Sequence, residues 1–218
     1  MINIIAGLPG AGKTAYLAKL VQKFLVEGEV VYSYKYLHFN DDRVRYFDEI
    51  TEIKKLKNVI IILDEAQIWF NSRYWDKIDP ALQYALQQHR HAGVDIWGAV
   101  QHINRLDTMM RELVQNYYEI RRVIGTSIRR KNGQTIFPRH PFQISLLQSC
   151  DIHRVKNVTR NVGSGLVRPV LFTRKEFDFY DTLAEYEDVF LNARFQVDKV
   201  ECWTCRTCGH KSIKSIKK

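Results

Sequence analysis

Long apolar runs are missing from this 218-residue chain. The strongest, Val59-Ile60-Ile61-Ile62-Leu63, falls far short of the ~20 residues that span a bilayer, so no transmembrane anchor is expected. No basic segment followed by an apolar one opens the sequence, which gives no sign of a secretion signal and leads to the expectation of a cytoplasmic protein. Cysteine is scarce. Cys150, Cys202, Cys205 and Cys208 are the whole complement, and their crowding toward the carboxyl end does not suggest a disulfide framework. Positive charge, by contrast, is plentiful: 33 Lys and Arg stand against 24 Asp and Glu, a formal net charge of +9. An exposed excess of that size suits a polyanion such as nucleic acid or an anionic membrane surface; a merely basic surface is the plainer alternative. Hydrophobic content of 45% and charged content of 26% are those of a globular protein with a sizeable core. The length fits one domain, with or without a small appendage.

The first fourteen residues carry the strongest signal. Ile2-Asn3-Ile4-Ile5-Ala6 reads as a short buried strand, and Ala15 to Val21 has helical composition. Between them stands Gly7-Leu8-Pro9-Gly10-Ala11-Gly12-Lys13-Thr14, a P-loop in the strand–loop–helix setting that gives the motif its meaning. Glycines let successive backbone N–H groups point at phosphate oxygens, and the helix aims its positive end at the same place. Lys13 would reach the β- and γ-phosphates of ATP, and the Thr14 hydroxyl would hold Mg²⁺.

The Val59–Leu63 run reads as a strand buried on both faces. Asp64-Glu65 follows at its carboxyl end, where open α/β sheets bind ligands. This is the Walker B pattern: Asp64 for Mg²⁺, Glu65 for polarising the water that attacks the γ-phosphate. Val94 to Val100 is a further buried strand ending in Gln101. From there Gln101 would hydrogen-bond either the attacking water or the γ-phosphate, or else be an ordinary polar strand end.

Elsewhere, Val30–Tyr34 and Tyr117–Ile124 read as strands, Glu49–Lys57 and Asn104–Asn116 as helices, and Pro80 as the first residue of a helix that runs toward His91. Strands alternating with helices imply parallel pairing. Residues 68–80 are rich in aromatics, including Trp69, Phe70, Tyr74 and Trp75, for packing on the core or for stacking bases. The segment 125–145 is a basic hairpin signal, with Asn132-Gly133 at the turn and Arg129, Arg130 and Lys131 on its arms. It would follow a nucleic-acid backbone or stand as a solvated ribbon. A final packed stretch, Phe177 to Thr182, closes a domain of residues 1–182.

The extension 183–218 has its own signal. Cys202, Cys205, Cys208 and His210 supply four thiolate or imidazole donors for a candidate zinc knuckle, and Cys150 with His153 is an alternative half-site. A reduced tail with free thiols is the competing reading. The last eight residues are basic and read as a flexible end.

Taken together, Gly7–Thr14, Leu63-Asp64-Glu65-Ala66-Gln67, Arg73, His89-Arg90-His91-Ala92-Gly93-Val94-Asp95-Ile96, Gln101, Leu106-Asp107 and Arg111-Glu112-Leu113-Val114 resemble the zonula occludens toxin (Zot)-like family. That family includes the assembly ATPases of filamentous phages and is placed among the HerA/FtsK-type translocases. The resemblance runs through residues 1–124. It implies an α/β P-loop NTPase with a mainly parallel sheet flanked by helices. It also implies a homo-oligomeric ring and movement of DNA during virion assembly, with capsid or assembly proteins as partners. A neighbouring subunit's arginine at the γ-phosphate is part of the implied mechanism, with Arg90 the first candidate and Arg73 the second. Phage members are generally anchored by a membrane helix after the ATPase domain. The lack of one here shifts the expectation from export toward genome packaging, with a nucleotide-gated assembly factor that does not translocate DNA as the alternative.

Overall fold

Six strands lie side by side and parallel in a computed structural model of the chain. In spatial order they are β4 (Arg45–Phe47), β2 (Val31–Tyr34), β5 (Val59–Leu63), β6 (Val94–Val100), β1 (Ile2–Ala6) and β7 (Asn116–Ile124). Two more extend the sheet beyond β7: β10 (Phe142–Cys150), antiparallel to β7, and β11 (Val167–Thr173), antiparallel to β10. The structure describes residues 1–71, 79–124, 129–131, 134–136, 142–150, 165–181, 200–204 and 211–215. The chain divides into two compact units, Met1–Ala184 and Glu185–Lys218.

The apolar runs explain the parallel half. Side chains alternate between the two faces of a strand, so a strand covered on both faces is apolar at nearly every position; buried Asn3 of β1 is accommodated by donating to the Ile96 carbonyl and accepting from Asn116. In β5, Val59, Ile61 and Leu63 enter one core while Ile60 and Ile62 enter the other. In β1, Ile2, Ile4 and Ala6 likewise oppose Ile5. Helix α1 (Lys13–Val26) covers one face through Ala15, Leu17, Ala18 and Val21. Helices α2 (Pro80–Gln87) and α3 (Thr108–Leu113) cover the other through Leu82, Leu86 and Met110. Each buried Leu, Ile or Val contributes roughly 1.5–3 kcal/mol.

Local chemistry sets the boundaries. Asp79 caps α2 by accepting from the Ala81 N–H at 2.9 Å, with Pro80 in the first helical position. Asp107 caps α3 by accepting from the Met109 N–H at 2.8 Å. That cap divides the stretch the sequence suggests as one helix, Asn104–Asn116, into a 3₁₀ turn at Ile103–Arg105 and the short α3. Glu49–Lys57 is a 3₁₀ helix over Ile50–Lys55, closed by a reciprocal Glu49/Glu52 capping box.

Three small sheets complete the described residues. β3 (His38–Phe39) pairs with β12 (Tyr180–Asp181), which follows the one-turn helix α4 (Arg174–Asp178). β8 (Arg129–Lys131) pairs antiparallel with β9 (Gln134–Ile136), one arm on each side of Asn132-Gly133. In the second unit β13 (Val200–Thr204) pairs antiparallel with β14 (Lys211–Ser215). Lys211–Ser215 is therefore a strand rather than the loose end expected from its charge, its backbone groups being satisfied by β13. No helix of the described residues is long and apolar enough to cross a membrane.

Candidate functional site

Because β1, β5 and β6 are parallel, the residues that follow them emerge on one edge of the sheet. Gly7 follows β1, Asp64 follows β5 and Gln101 follows β6, with β6 lying between the other two. Gly7–Gly12 turns from β1 into α1. The Gly7 N–H donates to the Val100 carbonyl at 3.2 Å, and the Ala11 N–H to the Leu8 carbonyl at 3.0 Å. Gly12 precedes the helix at φ 100°, a left-handed conformation that favours glycine. A Cβ there would also lie 2.8 Å from both Gln143 Nε2 and the Phe172 ring. At Gly7 a Cβ would lie 2.5 Å from the Ile120 carbonyl oxygen. The loop thus fits its cradle only without side chains at these positions. Beyond it, the first-turn N–H groups of α1 have no acceptor within the helix, and the helix dipole favours an anion there.

The five candidate side chains at this edge are each tied to a protein group. Buried Lys13 donates from Nζ to the Gly7 carbonyl at 3.0 Å and the Leu8 carbonyl at 3.5 Å. Thr14 Oγ1 donates to Asp64 Oδ2 at 2.7 Å, joining the start of α1 to the end of β5. Burial pushes the Asp64 carboxyl above its ordinary value. The Thr14 bond opposes the rise, the nearby Glu65 charge adds to it, and the Lys13 charge opposes it. Glu65 sits at φ 50°, left-handed, and its Oε2 accepts from Gln67 Nε2. Gln101 Oε1 accepts from Arg105 Nη1 at 2.6 Å. Burial, and behind it the Asp64 charge, push the Tyr180 hydroxyl up to about 12.

A cleft of about 630 Å³ opens beside the loop, lined by Gly7–Ala11, Gln101 and the strand β7 residues Glu119, Arg121 and Arg122 among others. Arg121 pairs with Glu119 at 3.1 Å, and a Cβ at Gly10 would lie 3.5 Å from Arg122 Nη1. Arg105, Gln67, Arg121 and Arg122 join the site without having been expected there. For Gln67 the signal was the Asp-Glu-Ala-Gln spacing. Arg121 and Arg122 had no local signal: they reach the cleft because β7 runs past the end of β1, whose Ala6 pairs with Glu119.

Arg90 is not at this edge. It is exposed in the turn after α2, where its carbonyl accepts from the Gly93 N–H just before β6 begins. That is the opposite end of a seven-residue strand from Gln101. At about 3.3 Å per residue it is roughly 20 Å away, so Arg90 could act only on a neighbouring copy's site. Trp69 and Phe70 belong to the core, Phe70 fully buried and Trp69 against Tyr34 at 4.4 Å between rings. Packing, not base stacking, accounts for these two.

Arg73, His153, Cys205, Cys208 and His210 lie outside the described residues. Cys150 ends β10 in the first unit, its thiol pushed up by burial, and Cys202 lies in β13 of the second. Among the described residues no group of three or more His, Cys, Asp and Glu could hold a metal. The zinc assignment rests on sequence spacing alone.

The family model described as "Zonular occludens toxin (Zot)" matches residues 37–148, just over half of the 218. The chain belongs to this family. The match includes Asp64, Glu65, Arg90 and Gln101 and begins after the P-loop. The Gene 1 protein of Enterobacteria phage I2-2 is 28% identical over 142 residues, 53% of this chain and 38% of that protein. The chain therefore spans well under half the length of that relative. The crystal structure of the N-terminal domain of zonular occludens toxin from Neisseria meningitidis aligns with a TM-score of 0.50 at 23% identity. It covers 83% of this chain and 98% of that one, a likeness of fold. A smaller overlap, TM-score 0.44 at 21% identity, is with the genome packaging NTPase B204 from Sulfolobus turreted icosahedral virus 2. It covers 54% of this chain and 72% of that one.

Proposed function

We propose that this chain is a Zot-family ATPase that moves or packages DNA during virion assembly. The observation that carries the reading is the 2.7 Å bond from Thr14 to Asp64 at the mouth of a glycine loop that tolerates no side chain at Gly7 or Gly12. Thr14 and Asp64 present hard oxygen donors from two strand ends, the kind Mg²⁺ takes with nucleotide phosphates. When bound, the ion would neutralise phosphate charge. Around it, Lys13 would exchange its two carbonyl partners for phosphate oxygens, and the Gly7–Gly12 and α1 N–H groups would cradle them.

Glu65 would act as the base toward water, once its carboxylate leaves Gln67. Hydrolysis also needs water excluded from the wrong faces, which a neighbouring copy in a ring would do. From that copy Arg90 would reach the γ-phosphate, stabilising charge as it develops. The +9 charge and the basic β8–β9 arms suit DNA of either strandedness.

The test is steady-state ATP hydrolysis by wild type and Lys13→Ala, without DNA, with single strands and with duplex, at one low salt concentration. Turnover that DNA raises and Lys13→Ala removes is expected. Turnover that Lys13→Ala removes but no DNA alters would replace the motor by an assembly switch gated by nucleotide. No turnover under any condition overturns the ATPase reading.

A further inference from the structure

Gln101 could meet a nucleotide in two ways, accepting a hydrogen bond from the attacking water or donating one to the terminal phosphate. Its neighbourhood decides between them. His102 follows it and caps a 3₁₀ turn, its Nδ1 accepting from the Asn104 N–H at 3.2 Å and its carbonyl from the Arg105 N–H at 3.0 Å. Ile103 and Leu106 flank Arg105 in the chain and are buried at 2% and 0% exposure. The Asp107 N–H donates to the Phe70 carbonyl at 2.8 Å, fixing the exit of the turn. Arg105 itself is exposed, but these anchors return its guanidinium to Gln101, four residues back, at 2.6 Å.

An amide bears an acceptor oxygen and a two-proton donor nitrogen. A guanidinium on the oxygen occupies a lone pair with a charge-assisted bond. It also polarises the amide, weakening the oxygen as an acceptor for water and strengthening the N–H groups as donors. Gln101 lines the cleft together with Gly7–Ala11, so the group it can offer there is the NH₂.

We infer that Arg105 is a positioning residue that fixes Gln101 as a hydrogen-bond donor to the terminal phosphate of a nucleoside triphosphate. This rests on the ATPase reading above and adds a specific consequence. The pair distinguishes ATP from ADP by the presence of that phosphate, not by contact with water.

Equilibrium affinities for ATP and ADP, measured side by side on the full chain, test it. Gln101→Glu keeps an acceptor and a partner for Arg105 but removes both donors. It should erase the preference for ATP over ADP by roughly 10-fold or more, with ADP affinity unchanged. Arg105→Ala should weaken ATP binding several-fold and leave ADP alone, and Arg105→Lys should restore most of the loss, because an ammonium can still hold the oxygen. In a Gln101→Ala background Arg105→Ala should add nothing.

Three results overturn the inference while leaving the ATPase reading intact. One is Gln101→Glu retaining the wild-type preference and turnover, which restores the water-accepting role. Another is Arg105→Ala costing as much without Gln101 as with it, which makes Arg105 a direct phosphate ligand. The third is equal weakening for ATP and ADP, which makes the turn merely structural. A wild type that binds neither nucleotide overturns the ATPase reading, and this inference with it.

Discussion

The two halves of the central sheet divide the labour. In the parallel half, β1, β5 and β6 are buried on both faces and deliver their chemistry only at the carboxyl ends, as Gly7, Asp64 and Gln101. In the antiparallel half, β10 and β11 are buried on one face only. Gln143, Ser145, Leu147, Val170 and Phe172 point inward, while Phe142, Leu146, Val167 and Leu171 are exposed. The inward residues brace the loop. Ser145 Oγ donates to the Ala11 carbonyl at 2.8 Å and Gln143 Nε2 to the Gly10 carbonyl at 3.5 Å, while Phe172 packs where a Cβ on Gly12 would fall. On the proposed function one half carries the reacting groups and the other holds the loop in shape. Damage to the first should cost activity at intact stability, and damage to the second should cost stability first.

The largest expected effect is Lys13→Ala. It should lower ATP turnover by about 1,000-fold, on the order of 4 kcal/mol of transition-state stabilisation, and shift the melting temperature little. Turnover assays paired with thermal melts check this. Gly12→Ala follows. It meets Phe172 and Gln143 at 2.8 Å and forces alanine into φ 100°, so roughly 2–4 kcal/mol of stability should go, seen by urea denaturation. A normal urea midpoint for Gly12→Ala would break the comparison. Ser145→Ala leaves the Ala11 carbonyl without its partner and should cost about 1–2 kcal/mol, with ATP affinity reduced as a consequence.

The smallest effect concerns pH. Burial raises the Asp64 carboxyl in the ligand-free fold. Between the ordinary carboxylate value and the raised one the folded chain holds more protons than the unfolded chain, so stability falls as pH rises through that window. Asp64→Asn should remove this slope and stabilise the ligand-free protein at neutral pH, while abolishing Mg²⁺-dependent nucleotide binding. Melting temperature against pH for the two proteins measures it.

The difference between the halves also sets what could be read in the sequence. Strands buried on both faces leave mostly apolar runs, unbroken in β5 and interrupted only by Asn3 in β1 and Asp95 in β6, so these three are legible with their ends, and with them Lys13, Thr14, Asp64, Glu65 and Gln101. Strands β10 and β11 alternate, Gln143 and Ser145 being polar yet inward, and nothing local marks them as part of the sheet. The partners of the site were hidden for a similar reason. Arg105 reaches Gln101 from a separate 3₁₀ turn, Ile103–Arg105, whereas the apolar spacing of Leu106, Met109, Met110 and Leu113 suggests one continuous helix. Arg90 shows the converse: the segment is distinctive, but its place at the far edge of the sheet becomes plain only once β6 is seen whole.

The central claim is that the strand ends of the parallel half bind and hydrolyse ATP, with Glu65 as the base. Single-turnover hydrolysis by Glu65→Gln, alongside its ATP affinity, tests this most directly. The account predicts ATP binding within about threefold of wild type and hydrolysis slowed by roughly 100-fold or more. Hydrolysis at the wild-type rate in Glu65→Gln would contradict it.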